Sequence, residues 1–181
     1  MRSIENRRSV RKYKKKDIPD ETVMALLESG RLAPSGSNTQ PWRFIIVRDP
    51  DIKKKIVEAD HNQRWMLSAP VFLVCVADLC CRISNTDDIY VDEDSPLPEL
   101  KLIIRDTAIA IENILLEAEE LGLGACWTAW FNQKDMRECL GIPTDKYVCG
   151  VVTVGYSDEH GAPQKRKSLD SLVMYDKWKE I

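Results

Sequence analysis

APSGSNTQPWRFIIV, residues 33–47, combines two patterns that decide the fold. Pro, Ser, Gly and Asn follow one another quickly over residues 33–42, which is typical of a loop whose backbone groups are open to a partner. Residues 43–47, RFIIV, predict a buried strand. The sequence therefore predicts a polar, exposed loop that leads directly into the core.

Hydrophobic periodicity and capping residues divide the rest of the chain into short elements. Ser3 is predicted to cap a short first helix, and a second helix opens at Asp17 and Pro19 and closes at Pro34. Further elements are predicted as a helix over 50–59 with Asp49 as its cap, a strand over 71–77, a helix capped by Asn132 that ends at Gly141 and Pro143, and a strand over 148–154. No repeat or linker divides residues 1–181, which indicates a single domain.

The longest predicted helix covers residues 100–121, with Gly122 in the position of a C-terminal cap. Its apolar residues occupy more than one stripe, so burial on several sides is expected. In a chain of 181 residues this suggests a central helix at a subunit interface. Just before it, residues 84–99, SNTDDIYVDEDSPLPE, are acidic and interrupted by proline, which predicts a mobile segment or lid.

Composition excludes several classes of protein. With 44% apolar and 30% charged residues, the chain can build a core and is not expected to be disordered. No apolar run is long enough to span a bilayer, and the amino terminus lacks the apolar stretch of a signal peptide. A cytoplasmic protein without a membrane partner is therefore expected.

The cysteines and histidines give no obvious metal site. The sequence contains six cysteines but no C-x-x-C pair, and it has two histidines, His61 and His160. Most of the cysteines are expected to be buried thiols, because a chain of this kind does not need disulfides. The adjacent Cys80 and Cys81 could be redox-active, although one core residue and one strand-end residue is the simpler interpretation.

Basic residues concentrate at two distant places in the sequence. Residues 1–16 hold eight Arg or Lys and one acid, and this first group contains Arg7, Arg8, Ser9 and Arg11. The second group is Lys165, Arg166 and Lys167. Two such groups in a chain of formal net charge -3 suggest a phosphate clamp. The overall acidity, and the absence of an aromatic stacking platform beside these cations, argue against nucleic acid as a partner.

Familiar catalytic and phosphate-binding motifs are missing from the sequence. There is no P-loop, and Gly122-Leu123-Gly124 lacks the third glycine of a dinucleotide fingerprint and follows a helix where that fingerprint follows a strand. There is also no G-x-S-x-G and no obvious pair of nucleophile and base. The chemistry is therefore expected to come from a bound cofactor.

Several segments together resemble the nitroreductase-like flavoproteins, in the order found in that family. They are RRSVRKY at 7–13, PSGSNTQPWRF at 34–44, GLGACWTAWF at 122–131, LGIP at 140–143 and VTVGYSDEHGAPQKRKSL at 152–169. The resemblance covers nearly the whole chain. It implies an α+β fold with a central, mostly antiparallel sheet flanked by helices, in an intertwined homodimer with a long central helix at the interface. It also implies that the C-terminal segment, about residues 168–181, extends onto the partner subunit.

The resemblance further implies which residues bind FMN. Arg7, Arg8 and Ser9 would hold the phosphate, and Arg11 would reach the pyrimidine edge of the isoalloxazine, where a positive charge stabilises the reduced ring. Thr128 and Ala129 would pass the N5 side of the flavin. The late phosphate cations would be Lys165, Arg166 and Lys167.

The same resemblance implies that residues 34–38 approach the flavin of the other subunit. The matching positions are Pro34, Ser35, Gly36, Ser37 and Asn38. Family members often have serine at the position of Gly36, so a backbone contact would replace a side-chain contact there.

The implied reaction is an FMN-dependent, ping-pong transfer of two electrons, as hydride through flavin N5. NADH or NADPH would be the donor, and a small molecule such as a nitroaromatic or a quinone the acceptor. Two alternatives stay open. One is a flavoenzyme of the same fold with other chemistry, such as a dehalogenase, a flavin-fragmenting enzyme or a dehydrogenase, for which residues 84–99 would be decisive. The other is a non-enzymatic module for a phosphorylated ligand, which would be colourless.

Overall fold

A computed structural model describes residues 2–159, 161 and 164–178. Within them lie five α-helices and four β-strands: α1 (Arg2–Asn6), α2 (Asp20–Arg31), β1 (Trp42–Val47), α3 (Pro50–Ala59), β2 (Val71–Asp78), α4 (Pro98–Glu120), β3 (Gly124–Thr128), α5 (Gln133–Leu140) and β4 (Lys146–Gly155). Short 3-10 turns occupy Gly36–Asn38, Arg64–Ser68, Leu79–Cys81 and Leu169–Ser171.

The strands form one antiparallel sheet in the order β1-β2-β4-β3. All eight residues of β2 are buried, as expected for the unbroken apolar run VFLVCVA in a strand covered on both faces. The pairing of β2 with β4 shifts between Cys75, which pairs with Gly150, and Val76, which pairs with Val148. The predicted α+β class with a mostly antiparallel sheet is confirmed.

Helices cover both faces of the sheet and create two cores. On one face, α2 and α4 pack against alternate strand residues such as Leu73 and Val152. On the other face, α3 and α5 pack against the strand residues that alternate with these, including Phe72 and Val151. This separation follows from the alternation of side chains along each strand, which sends successive residues to opposite faces.

Helix α4 matches the predicted central helix closely. Pro98 occupies the first turn, where its missing N–H costs nothing, and Gly122 follows the helix at a φ of 71°, which favours glycine. Eight residues of α4 are buried, yet Leu102 and Ile109 stay 41% and 42% exposed on this chain. Among the described residues, no helix has both the length and the apolar content needed to cross a bilayer.

Two local predictions differ from the structure. Residues 124–128, expected only as a short aromatic segment, form the edge strand β3, which pairs with β4 although it contains Gly124 and Ala125. Pairing with a buried partner strand therefore outweighs weak intrinsic propensity. Ser3 lies inside α1 and does not cap it; its hydroxyl is buried without a partner among the described residues.

The acidic segment over residues 84–99 is attached to the protein body through its middle. Val91 is fully buried, and its backbone N–H donates to the Thr144 carbonyl while its own carbonyl accepts from Arg137. Glu93 accepts the backbone N–H of Gln133 at the start of α5. The expected lid is thus anchored to α5 and to the loop that precedes β4.

All six cysteines are free thiols in the structure. Burial raises the pKa of Cys149 to about 12, so this thiol is inert at neutral pH. Cys80 and Cys81 lie in the turn after β2, where Cys80 is exposed and Cys81 is half-buried and packs against the core.

Lys146, the first residue of β4, is held between two carboxylates. Its ammonium lies 2.9 Å from Asp78 and 2.5 Å from Asp145. Burial acts to raise the pKa of both acids, but the hydrogen bonds and charge of Lys146 outweigh it and hold each pKa below its usual value. A depressed carboxylate pKa adds stability that is present at neutral pH and is lost as the pH falls through the acidic range.

Replacing Lys146 with methionine is therefore expected to lower the free energy of unfolding at pH 7 by about 2 kcal/mol. The deficit should shrink below about pH 4, where protonation relieves the two unpaired acids. Urea unfolding at pH 7 and pH 3.5 measures both effects. Lys54→Met, in an exposed pair with Asp51 on α3, is the control and should change little. An equal deficit at both pH values would contradict the electrostatic explanation.

Candidate functional site

Residues 9–14 run along the end of the sheet and place the first basic group there. The Val10 N–H donates to the Ala125 carbonyl over 3.0 Å, and the Lys14 N–H to the Tyr156 carbonyl over 2.8 Å. Tyr13 fixes this path because its buried hydroxyl donates to the Val10 carbonyl over 2.6 Å. Burial raises the pKa of Tyr13, so that hydroxyl stays protonated. The basic group is thereby attached to the start of β3 and the end of β4.

Arg7, Arg8 and Arg11 differ in whether their guanidinium groups have partners. Arg7 forms an ion pair with Glu112 of α4, over 3.4 Å. Arg8 is half-buried, and its Nε finds no hydrogen-bond partner among the described residues. Arg11 has an exposed side chain whose guanidinium carbon lies 5.7 Å from the centre of the Trp65 ring. Arg8 is therefore the cation with an unmet donor, and the exposed Ser9 hydroxyl is its sequence neighbour.

The segment after β4 returns to the same place. Glu159 accepts the backbone N–H of Arg11 over 2.7 Å, which also brings a negative charge to the site. A side-chain carbon at Gly161 would lie 3.7 Å from Arg8 Cδ. The second basic group, Lys165, Arg166 and Lys167, begins four residues later and is exposed. Within the described part of the chain, no hydrogen bond or ion pair joins it to the first group.

Residues 34–38 form a turn at the opposite end of the sheet, where β1 begins and β2 ends, and α4 holds it there. The Gly36 N–H donates to Asp106 over 3.1 Å, and its carbonyl accepts from Arg82 over 3.0 Å. Ser37, Asn38 and Gln40 have φ values of 54°, 54° and 47°, in the left-handed region that side chains seldom adopt. Pro34 and Asn38 are exposed, and Ser35 accepts the Gln40 N–H.

Within one chain, this loop makes no described hydrogen bond to the first basic group or to Thr128. Its backbone strain persists because the surroundings fix it, which is typical of a functional loop.

The end of β3 is fixed by a polar turn that the sequence reasoning did not assign. The Thr128 hydroxyl donates to the fully buried Asp60 over 2.7 Å and accepts from Gln63 over 2.8 Å. Trp65 donates to Gln63 over 3.1 Å. Since Trp65 also lies beside Arg11, this chain of contacts connects the end of β3 with the first basic group.

His61 belongs to the same turn and contacts Trp130, the residue after Ala129. Its ring stacks on Trp130, with centroids 4.1 Å apart and planes inclined by 6°, and one ring nitrogen bonds the Trp130 carbonyl. Ala129 and Trp130 themselves are exposed. The run DHNQ after α3 was the available signal in the sequence, because such a polar cluster is typical of a turn. In the structure, His61 and Asn62 have φ values above 50°, which marks a specialised turn.

These positions fit an anionic ligand with a flat ring. Among the described residues the Arg8 Nε has no hydrogen-bond partner, and Ser9 and Ala129 are exposed. The Arg11 guanidinium lies over the Trp65 ring. Among the described residues, no group of three or more His, Cys, Asp or Glu is close enough to hold a metal ion.

Known proteins resemble this chain over most of its length. The model of the Nitroreductase family matches residues 4–156. An NADH dehydrogenase of Thermus thermophilus is 31% identical over 188 residues, covering 93% of this chain and 92% of that protein. An NAD(P)H FMN reductase of Bacillus subtilis is 28% identical, covering 95% of this chain and 71% of that protein.

Solved structures share the fold. The NADPH:FMN oxidoreductase of Vibrio harveyi complexed with NAD+ superposes with a TM-score of 0.88 at 25% identity, covering 99% of this chain and 78% of that one. An FMN-dependent nitroreductase of Clostridium difficile superposes with a TM-score of 0.77 at 27% identity, covering 97% and 98%. The predicted resemblance is confirmed, and the chain belongs to the nitroreductase family of oxidoreductases.

Proposed function

We propose that this protein is an FMN-dependent oxidoreductase that moves two electrons from NADH or NADPH to a small acceptor. The observation that carries the proposal is the buried Nε of Arg8, which lacks a hydrogen-bond partner among the described residues and whose sequence neighbour Ser9 is exposed. An unmet guanidinium donor is costly unless an anion completes it, and a phosphate has the right charge and shape. The names of the relatives support FMN as that ligand.

The chain's own residues would bind and orient the cofactor. Arg8 and Ser9 would hold the phosphate, with Arg7 released in part from Glu112, and Lys165, Arg166 and Lys167 would add charge from the second group. Arg11 would stabilise negative charge on the pyrimidine edge. The backbone at Thr128 and Ala129, fixed by Asp60, would face N5. When bound, FMN supplies the hydride chemistry between donor and acceptor.

We also propose that the protein is a homodimer and that loop 34–38 serves the partner's flavin. Exposed apolar side chains support this, because a chain that functions alone seldom leaves so many uncovered. In the C-terminal segment, Leu169, Tyr175 and Trp178 are 72%, 78% and 77% exposed. That segment, about residues 168–181 and described as far as 178, would cross to the partner and cover its apolar side chains there.

The acceptor is proposed as a small nitroaromatic or quinone, in a ping-pong reaction in which donor and acceptor use one pocket in turn. A dehalogenase, a flavin-fragmenting enzyme or a dehydrogenase of the same fold remains the alternative. Residues 84–99 would decide among these, and the middle of that segment is attached to α5 by the hydrogen bond from the Gln133 N–H to Glu93.

The test is the visible spectrum of the purified protein, followed by anaerobic addition of NADH or NADPH. We expect yellow protein that releases FMN on denaturation, bleaches with a nicotinamide and regains colour on addition of a quinone or nitroaromatic. Parallel initial-rate lines for varied donor and acceptor would support the ping-pong order. Colourless protein that takes up no added FMN would refute the proposal and favour a non-enzymatic module.

A further inference from the structure

Gly36 is held through both of its backbone polar groups by side chains from distant parts of the chain. Its N–H donates to Asp106 of α4 over 3.1 Å, and its carbonyl accepts from Arg82, after β2, over 3.0 Å. Arg82 and Asp106 also form an ion pair over 3.6 Å, and their side chains are 16% and 14% exposed. The ion pair is largely shielded from water and is therefore stronger than a surface pair, whereas the two hydrogen bonds lie at the exposed Gly36.

This arrangement puts the Arg82 guanidinium into the space that a side chain at position 36 would occupy. A Cβ added to Gly36 would lie 2.7 Å from Arg82 Nη2, closer than real carbon contacts come. The φ of Gly36 is outside the left-handed region, so the requirement for glycine comes from space and not from backbone conformation. Any larger residue would have to push the guanidinium away from the Gly36 carbonyl.

The rest of the loop needs such support. Three of the next four residues, Ser37, Asn38 and Gln40, have positive φ values, a conformation that costs free energy and survives only where other contacts impose it. Inside the loop, the Ser35 hydroxyl accepts the Gln40 N–H. The contacts from Arg82 and Asp106 tie the loop to the domain.

We propose that Arg82 and Asp106 are positioning residues that fix loop 34–40 for cofactor binding, and that Gly36 is coupled to Arg82 by shape. The inference rests on the proposed function, because loop 34–38 matters there as the flavin loop. Neither Arg82 nor Asp106 need touch the flavin. They act by fixing the backbone that does.

A double-mutant cycle tests this coupling. The proteins are wild type, Gly36→Ala, Arg82→Ala and the double variant, each stripped of cofactor. One readout is the FMN dissociation constant, from quenching of flavin fluorescence on titration. The other is the thermal midpoint of the cofactor-free protein, and sedimentation confirms that the state of association is the same in all four.

Each single substitution is expected to weaken FMN binding about five- to tenfold, because each removes the charged hydrogen bond to the Gly36 carbonyl. The double variant should bind like Arg82→Ala alone, since the space left by the guanidinium accepts the new methyl group. In cofactor-free protein, Gly36→Ala should lower the midpoint when Arg82 is present. In the Arg82→Ala background it should leave the midpoint unchanged or raise it slightly, because alanine restricts the unfolded chain.

Arg48→Ala is the matched control, since it removes an arginine from an ion pair with Asp20 elsewhere and should not change FMN binding. Independent, multiplying effects of the two substitutions would overturn the coupling. Coupled midpoints with unchanged FMN affinity would overturn the positioning role, as would loss of association in Arg82→Ala. If wild type takes up no FMN, the proposed function fails. Additive changes in the thermal midpoints of the cofactor-free proteins would separately refute the coupling of Gly36 to Arg82.

Discussion

Arg8→Ala is expected to weaken FMN binding by about ten- to a hundredfold, the value of one or two charge-assisted hydrogen bonds. The reason distinguishes Arg8 from Arg7. Its Nε is buried and unpartnered among the described residues, so its donor becomes satisfied when an anion arrives. Arg7 already has Glu112 at 3.4 Å and loses that contact on turning to a ligand, so Arg7→Ala should have a smaller effect.

The measurement is a fluorescence titration of cofactor-free protein at two salt concentrations. Lys15→Ala is the matched control, because it removes one positive charge from the same basic stretch at an exposed position. If general attraction to a basic surface held the phosphate, Lys15→Ala and Arg8→Ala would weaken binding alike, with a similar dependence on salt. Equal losses would therefore contradict the assignment of Arg8.

Arg8 also illustrates how far the sequence leads toward the site. The cluster of arginines could be recognised in the sequence as a motif. Its path along the end of the sheet could not be predicted, because that path depends on hydrogen bonds from Val10 and Tyr13 to partners more than 100 positions away. Likewise Thr128 could be assigned from the resemblance. Its buried partner Asp60 lies 68 residues earlier, and nothing local in the sequence joins the two.

The fold was easier to predict than the site for a physical reason. Patterns such as the Asp49 cap, which accepts from two backbone N–H groups at the start of α3, and the Asn132 cap of α5 act within one turn of helix. Strand β3 escaped prediction because its small residues carry little propensity and its pairing with β4 decides its conformation. Tertiary pairing is also what brings Arg82 and Asp106 to Gly36.

The second large effect is expected in α4, where Ile111→Ala should lower the free energy of unfolding by about 3 kcal/mol. Ile111 is fully buried in the core between α4 and the sheet. Removing three carbons there leaves a cavity that the surrounding strands cannot collapse to fill, since they are paired on both sides. Urea unfolding at one protein concentration measures the loss from the change in midpoint at constant slope.

Ile109→Ala provides a control on the same helix with the same chemical change. Ile109 is 42% exposed on this chain, so in an isolated subunit its truncation should cost less than about 1 kcal/mol. The proposed dimer makes a further distinction, because an interface residue contributes a stability that falls on dilution. A cost at Ile109 that shrinks as the protein is diluted would place this face of α4 against the partner. Ile109→Ala could instead lower the free energy of unfolding as much as Ile111→Ala does, at every protein concentration. That result would contradict the outward position of Ile109, and it would also contradict burial as the cause of the loss at Ile111.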